Sequence, residues 1–320
     1  MTPSPRIIML GTGDFALPAF DHLCRTGHGV VALITQPDRP QGRKQLLIPG
    51  AIKQAALARS IPVEQPENVN APASLAMIQN YEPDLLVTAA YGQILSPDLL
   101  RLPPLGGINL HGSILPAYRG AAPVARAIER GEAETGVTVI RMTPKIDAGG
   151  MMAFARTPID PDETAGELEA RIADLGAPLV AEAIAALVAG TAVILPQDRS
   201  RVTKAPKLRK EDGRIDWTRP ALEIHNLVRA MQPWPVASTT WNRPDGPVRL
   251  IVHRTALADG EGAPGQILEA RGDRLIVAAA VGALRLLTVQ MEGKKPAEAA
   301  IFLNGHHPYG QTLGRPEPGP

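Results

Sequence analysis

Short apolar runs alternate with amphipathic stretches over the first 190 residues. Ile7-Ile8-Met9-Leu10 is a continuous apolar run of buried-strand length, and residues 16–25 read as a helix. A second strand is predicted over 30–35, helices near 51–59 and 74–81, and a further strand over 84–90. Strands over 107–111 and 136–142 follow, separated by a helix that Pro123 starts from its first turn. Thr164 and Glu167 have capping-box spacing ahead of a helical stretch to residue 188, with a break predicted near Gly176 and Pro178. Such alternation predicts crossover connections and an α/β domain with a mostly parallel, Rossmann-like sheet covered on both faces.

After Gly190 the pattern changes. One helix (221–231) precedes β-type runs over 237–241, 248–253, 265–269, 275–279 and 283–289, with Pro244-Asp245-Gly246 as a turn between the first two. Strands at this spacing predict a small barrel or sandwich, and a smaller C-terminal β-barrel of OB-like type is the expectation. The expected division is an α/β domain over 1–190, a linker over 191–208 and the barrel over 209–320.

Charge sharpens this division. Residues 1–200 carry 16 Lys/Arg against 20 Asp/Glu, and residues 201–320 carry 17 against 12. Between residues 199 and 210 there are six cations and no acid. An acidic first part joined to a basic second part suits contact with a polyanion, although ordinary surface variation gives the same numbers. Aromatic residues make up only 3% of the chain, which argues against a stacking platform for bare nucleic acid. The single cysteine, Cys24, excludes an internal disulfide framework and an all-cysteine metal site. No apolar run approaches the roughly 20 residues that cross a bilayer, and the N-terminus lacks a signal-peptide pattern. A cytoplasmic monomer without membrane contact is the expectation.

Gly11-Thr12-Gly13 sits where a dinucleotide fingerprint belongs, after the first strand and before a helix. It fits poorly: Ala16 occupies the third glycine position, Asp14-Phe15 fills the approach of a pyrophosphate, and Asp38 is a weak ribose partner. Asn109-Leu110-His111 is sharper. Residues i and i+2 of a strand share a face, so the amide and the imidazole are neighbours, and the turn that follows leaves them at the strand's carboxyl end. That edge binds ligands in open parallel sheets. A polar pair that merely caps a strand end has the same spacing. Asp147 follows another strand; if the two strands are neighbours, amide, imidazole and carboxylate converge. Such a set suits acyl transfer, with donors for an oxyanion and a group that takes the amine's proton. The remaining histidines (His22, His28, His225, His253 and the pair His306-His307) have no metal-ligand companions, and no metal is expected.

The segments from Gly107 to Pro116 and from Arg119 to Pro123, with Thr135-Gly136-Val137-Thr138 and Asp147-Ala148-Gly149, resemble the formyltransferases that use 10-formyltetrahydrofolate. Thr35 to Pro40 and Gln232-Pro233-Trp234-Pro235 are similar to segments of the branch that acts on methionyl-tRNA. The resemblance runs from Ile7 to about Ala300. It implies Asn109, His111 and Asp147 as catalytic residues, with Asp147 orienting His111. It also implies Ser113, Ile114, Leu115 and Pro116 as a folate-contacting turn, and Arg43 and Lys44 in a loop reaching the acceptor end of tRNA. Backbone at Tyr91, Gly92 and Gln93 is expected to complete the folate wall. Arg39 shares the loop of Arg43 and Lys44 after the second strand and is expected to bind tRNA with them, while the linker cations Lys204, Lys207, Arg209 and Lys210 are expected to meet tRNA phosphates. The implied reaction moves the formyl group of 10-formyltetrahydrofolate to the α-amine of methionine on initiator tRNA, for translation initiation. Alternatives are formylation of another amine, or hydrolysis of the formyl-folate.

Overall fold

The computed structural model describes residues 4–41 and 46–314. Arg43 and Lys44 lie outside the described residues. In chain order the first part contains β1 (Arg6–Gly11), α1 (Leu17–Arg25), β2 (Gly29–Ile34), β3 (Pro40–Gln41), β4 (Leu46–Leu47), α2 (Ala51–Ala58), β5 (Val63–Glu64), α3 (Pro72–Asn80), β6 (Leu85–Ala89), α4 (Pro97–Arg101), β7 (Gly107–His111), α5 (Pro123–Glu129), β8 (Glu134–Arg141), β9 (Met151–Pro158) and α6 (Ala165–Val188). The second part contains α7 (Ala221–Ala230), β10 (Ala237–Arg243), β11 (Gly246–Ala258), β12 (Ile267–Arg271), β13 (Arg274–Ala278), β14 (Ala283–Met291), β15 (Ala297–Glu298), α8 (Ala299–Gly305) and β16 (Thr312–Leu313). No described helix is long and apolar enough to cross a membrane.

The chain forms two compact units. The first comprises residues 1–123, 134–158 and 169–206; the second gathers 124–133, 159–168 and 207–320. Residues 191–206, read from the sequence as part of a linker, therefore belong to the first unit. Met151 and Leu195 exchange backbone hydrogen bonds of 2.8 and 2.9 Å, and Ala205 donates to the Arg119 carbonyl at 2.7 Å. Charge and absence of periodicity look alike in a free linker and in a segment strapped to a sheet edge.

The sheet of the first unit has the order β5-β2-β1-β6-β7-β8-β9. Neighbours from β5 to β7 run parallel, whereas β8 and β9 are antiparallel. β6 is buried at every position, as a strand covered on both faces should be. β9 is a partly exposed edge strand that the sequence reading does not predict, although residues 151–155 form an apolar run. α6 is one unbroken helix, contrary to the predicted break at Gly176 and Pro178. Its buried side chains Ile172, Ala173, Ala177, Val180 and Ile184 hold one face through the proline. At Gly176 the helix approaches β7 so closely that a Cβ would lie 2.8 Å from the Leu110 methyls. Burial of that face outweighs the one backbone hydrogen bond that proline removes.

In the second unit the antiparallel order is β12-β13-β14-β11-β10-β16, with β15 on β14. A bridge between Gln266 and Thr312 joins the last strand back to the start of the first. The barrel interior is filled by Leu250, Val252, Leu275, Val277, Leu284 and Leu286, each no more than 1% exposed. They lie on the strands that match the short β-type runs predicted over 248–253, 275–279 and 283–289.

Candidate active site

Asn109 and His111 lie two residues apart on β7, beside the carboxyl end of β6. Parallel register sets Thr88 opposite Asn109. The buried Thr88 hydroxyl donates to Asn109 Oδ1 at 2.7 Å. That commitment of the amide oxygen makes the NH2 group the outward end of the side chain, a donor. His111 is buried, and its Nε2 lies 2.9 Å from the Tyr118 carbonyl oxygen. A carbonyl only accepts, so Nε2 carries a proton and Nδ1 is the ring nitrogen turned to the site.

Asp147 arrives by a different route. β8 runs antiparallel to β7, and its end at Arg141 pairs with Ile108, not with His111. The loop after β8 must fold back to bring Asp147 Oδ2 to 3.6 Å from His111 Nδ1. That exceeds hydrogen-bond length, so the ring is oriented by Tyr118 and Asp147 stands beside it as a separate acid. Asp147 Oδ2 accepts the Gly120 N–H at 2.8 Å. The loop is held from below as well: Gln197 Nε2 donates to the carbonyls of Asp147 and Gly149, each at 2.7 Å. Ala90, Tyr118 and Asp147 adopt φ of 45°, 60° and 48°. Left-handed non-glycine residues cost about 1–3 kcal/mol each and gather at sites where geometry is over-determined. Gly149 is obligatory here, because a Cβ would fall on the Arg141 carbonyl oxygen.

The turn from Ser113 to Pro116 follows directly from β7. Thr138, fully buried on β8, clasps it: its hydroxyl donates to the Ser113 carbonyl at 2.7 Å and accepts from Leu115 N at 3.1 Å. Ser113 in turn donates to the Ala117 carbonyl at 2.7 Å. Ser113, Leu115 and Pro116 are buried and Ile114 half-buried, so the turn presents chiefly backbone and one aliphatic side chain. At the end of β6, Gly92 is exposed with φ of 89°, while the Tyr91 ring packs into the core. The Tyr91 hydroxyl is buried without a partner, and burial pushes its pKa up to about 12. Gln93 is occupied by the backbone of Val69, its Oε1 accepting that N–H at 2.9 Å. The Tyr91 carbonyl accepts from Gln36 Nε2 at 3.1 Å, so within 91–93 the exposed Gly92 is the residue whose main chain faces outward.

The described basic residues divide between the two units. Arg39 pairs with Glu67 at 2.7 Å, both exposed. Lys204 belongs to the first unit, bridged through its backbone to Arg119, whereas Lys207, Arg209 and Lys210 belong to the second. All four are exposed.

A family model described as formyl transferase matches residues 5–184, and a second, described as the formyl transferase C-terminal domain, matches residues 207–307. The methionyl-tRNA formyltransferase of Pseudomonas syringae pv. tomato is 48% identical over 304 residues, spanning 95% of this chain and 96% of that protein. The chain belongs to the methionyl-tRNA formyltransferase family. The protein of the same name from Solibacter usitatus is 47% identical over 300 residues, covering 94% of this chain and 95% of its own. Among solved structures, HypX from Aquifex aeolicus in complex with tetrahydrofolic acid superposes with a TM-score of 0.66 at 17% identity. The match covers 94% of this chain and 47% of that one. WlaRD, a sugar 3N-formyl transferase, gives 0.66 at 18% identity over 92% of this chain and all of the other. Both share the fold.

Thr88, Tyr118 and Gln197 have no part in the sequence reading, and Gly120 and Thr138 enter it only within the family-like segments. Each acts through a contact between residues distant in the chain: Thr88 with Asn109, Thr138 with the 113–115 turn, Gln197 with the 147–149 loop. Local spacing carries no trace of such contacts.

Proposed function

We propose that this chain transfers the formyl group of 10-formyltetrahydrofolate to the α-amine of methionine on initiator tRNA, using Asn109, His111 and Asp147. The near-full-length identity to methionyl-tRNA formyltransferases carries the reading, and the site supplies its chemistry. The folate co-substrate delivers an activated formyl carbon. A fixed amide and an imidazole nitrogen beside a carboxylate suit that group, because a formyl oxygen gains negative charge as the amine attacks. Asn109, through its NH2 group, and His111 hydrogen-bond that oxygen, in the manner of an oxyanion hole. Asp147 accepts the proton that the attacking nitrogen must lose, and the proton returns to the folate nitrogen as its bond to the formyl carbon breaks. The Ser113–Pro116 turn and the backbone at 91–93 wall the folate. Lys204, Lys207, Arg209 and Lys210 meet tRNA phosphates from their exposed positions, and the acceptor end is assigned to Arg39 together with Arg43 and Lys44, which are outside the described residues.

The test measures tetrahydrofolate release with initiator methionyl-tRNA, with elongator methionyl-tRNA and without tRNA. Formylation strongly favouring the initiator is expected. Release that is independent of tRNA makes the protein a hydrolase, and formylation of a small amine alone assigns another acceptor. Neutralising the four cations together should flatten the salt dependence by somewhat less than one unit per lost phosphate contact, for both tRNAs alike.

A further inference from the structure

The acid of the candidate site is held by a segment that the chain reaches fifty residues later. Gln197 lies between the Leu195–Met151 bridge and the Arg119–Lys204 bridge, within the strap of residues 191–206. Its amide is used completely. Both N–H groups go to the 147–149 loop, one to the Asp147 carbonyl and one to the Gly149 carbonyl at 2.7 Å each. Its oxygen accepts from Arg119 Nε at 3.0 Å and Arg119 Nη2 at 2.7 Å. Two donors and two lone pairs exhaust what a carboxamide offers.

Arg119 is itself clamped, its N–H bonded to the Thr203 carbonyl at 2.9 Å and its carbonyl to Ala205 N at 2.7 Å. Its neighbours do the holding at the site: the Tyr118 carbonyl grips His111 Nε2, and Gly120 N–H grips Asp147 Oδ2. The Asp147 backbone, at φ of 48°, sits in a conformation that side-chain-bearing residues leave readily. Two charge-free hydrogen bonds to the carbonyls that flank Ala148 resist that departure, and the Arg119 fork fixes which way the amide faces.

We propose that Gln197, oriented by Arg119, is a positioning residue that holds Asp147 at its working distance from His111. The inference rests on the reading of Asp147 as a catalytic acid. The Gln197 amide is spent on the loop and on Arg119, so both act through the loop. Misplacement of a catalytic group by about 1 Å can cost up to about 100-fold in rate.

The experiment uses the full chain with Gln197→Met, which keeps the side chain's length and removes its hydrogen bonds, and Arg119→Lys, which keeps charge and removes the fork. Asp147→Asn is combined with each. Turnover, both Michaelis constants and thermal midpoints are measured. Gln197→Met should lower kcat by roughly 10- to 100-fold with both KM values within about twofold of wild type. Arg119→Lys should follow in the same direction by a smaller factor, and it carries the test if Gln197→Met fails to fold. In the Asp147→Asn background neither substitution should lower kcat further. Unchanged kcat in both single variants, or equal losses with and without Asp147, overturns the proposal while Asp147→Asn remains disabled. Wild-type turnover in Asp147→Asn alone overturns the reading of Asp147 and, with it, the role of Gln197.

Discussion

The strand that carries Asn109 and His111 and the loop that carries Asp147 reach the same point by unlike means. On β7, covalent geometry does the work: alternate residues of an extended chain face one way, and parallel pairing with β6 sets Thr88 against Asn109. The loop has no such template. β8 ends beside Ile108, so Asp147 is brought back by a left-handed backbone, an obligatory glycine at 149, the Gly120 N–H and the Gln197 amide. One half of the site is a property of a strand. The other half is a property of contacts between segments, and it should be the easier to displace without unfolding the protein.

The largest effects test whether both halves are needed. Asn109→Ala, His111→Ala and Asp147→Ala should each lower turnover by about two orders of magnitude or more, measured as formyl-methionyl-tRNA formed per enzyme. Near-wild-type turnover in any one, with the fold intact by circular dichroism, would remove that residue from the mechanism. Gly149→Ala comes next. Its new methyl must displace backbone, not a flexible side chain, so the loop has to move. Turnover should fall toward the Asp147→Ala level, roughly 100-fold, while the thermal midpoint drops less than in a core variant. A Gly149→Ala enzyme with normal kcat would show that the loop's observed path is not required.

Thr88→Val probes the strand side. The hydroxyl is buried and bonded to Asn109 Oδ1 at 2.7 Å, so its loss frees the amide to turn its oxygen toward the site. We expect about a tenfold lower kcat, nearly unchanged KM, and a stability loss of about 1–2 kcal/mol from the acceptor left unpaired. Equal loss in Thr88→Val and in the Thr88→Val, Asn109→Ala double variant relative to their parents would separate Thr88 from Asn109.

Tyr91→Phe should have the smallest effect. Its hydroxyl is buried without a partner, so deleting it should be neutral or slightly stabilising and leave the folate KM unchanged. The sign with pH follows from linkage. Burial holds the folded phenol near 12, whereas an unfolded tyrosine ionises near 10, so unfolding releases protons in that window and stability falls as pH rises from about 10 to 12. Tyr91→Phe should remove part of that alkaline loss. The remainder belongs to Tyr81, also near 12 through burial and its hydrogen bond to Glu64. A raised folate KM in Tyr91→Phe would mean that the side chain, and not only the main chain, serves the ligand.

Much of this was readable before any coordinates. The short β-type runs of the barrel strands, the buried runs of β1 and β6, and the Thr164–Glu167 capping box are local signals, and the structure has all of them. Asn109 and His111 were visible for the same reason, since a two-residue offset on a strand needs no tertiary information. Asp147 could be named from residue type and family resemblance. Its means of arrival could not, because nothing in its neighbourhood announces that β8 is antiparallel. Pro178 misled for a related reason: local chemistry disfavours helix there, and burial of α6 overrides it.

What the sequence determined by itself is many of the elements, the family, and the pair on β7, because short-range backbone geometry and side-chain periodicity are written in consecutive residues. Only the tertiary structure decided that Tyr118 and not Asp147 grips His111 Nε2, that Thr88 turns the Asn109 amide, and that a supposed linker supplies Gln197 beneath the acid. Those are hydrogen bonds between groups 7, 21 and 50 residues apart. They exist because folding closes those loops and buries polar groups that must then find partners.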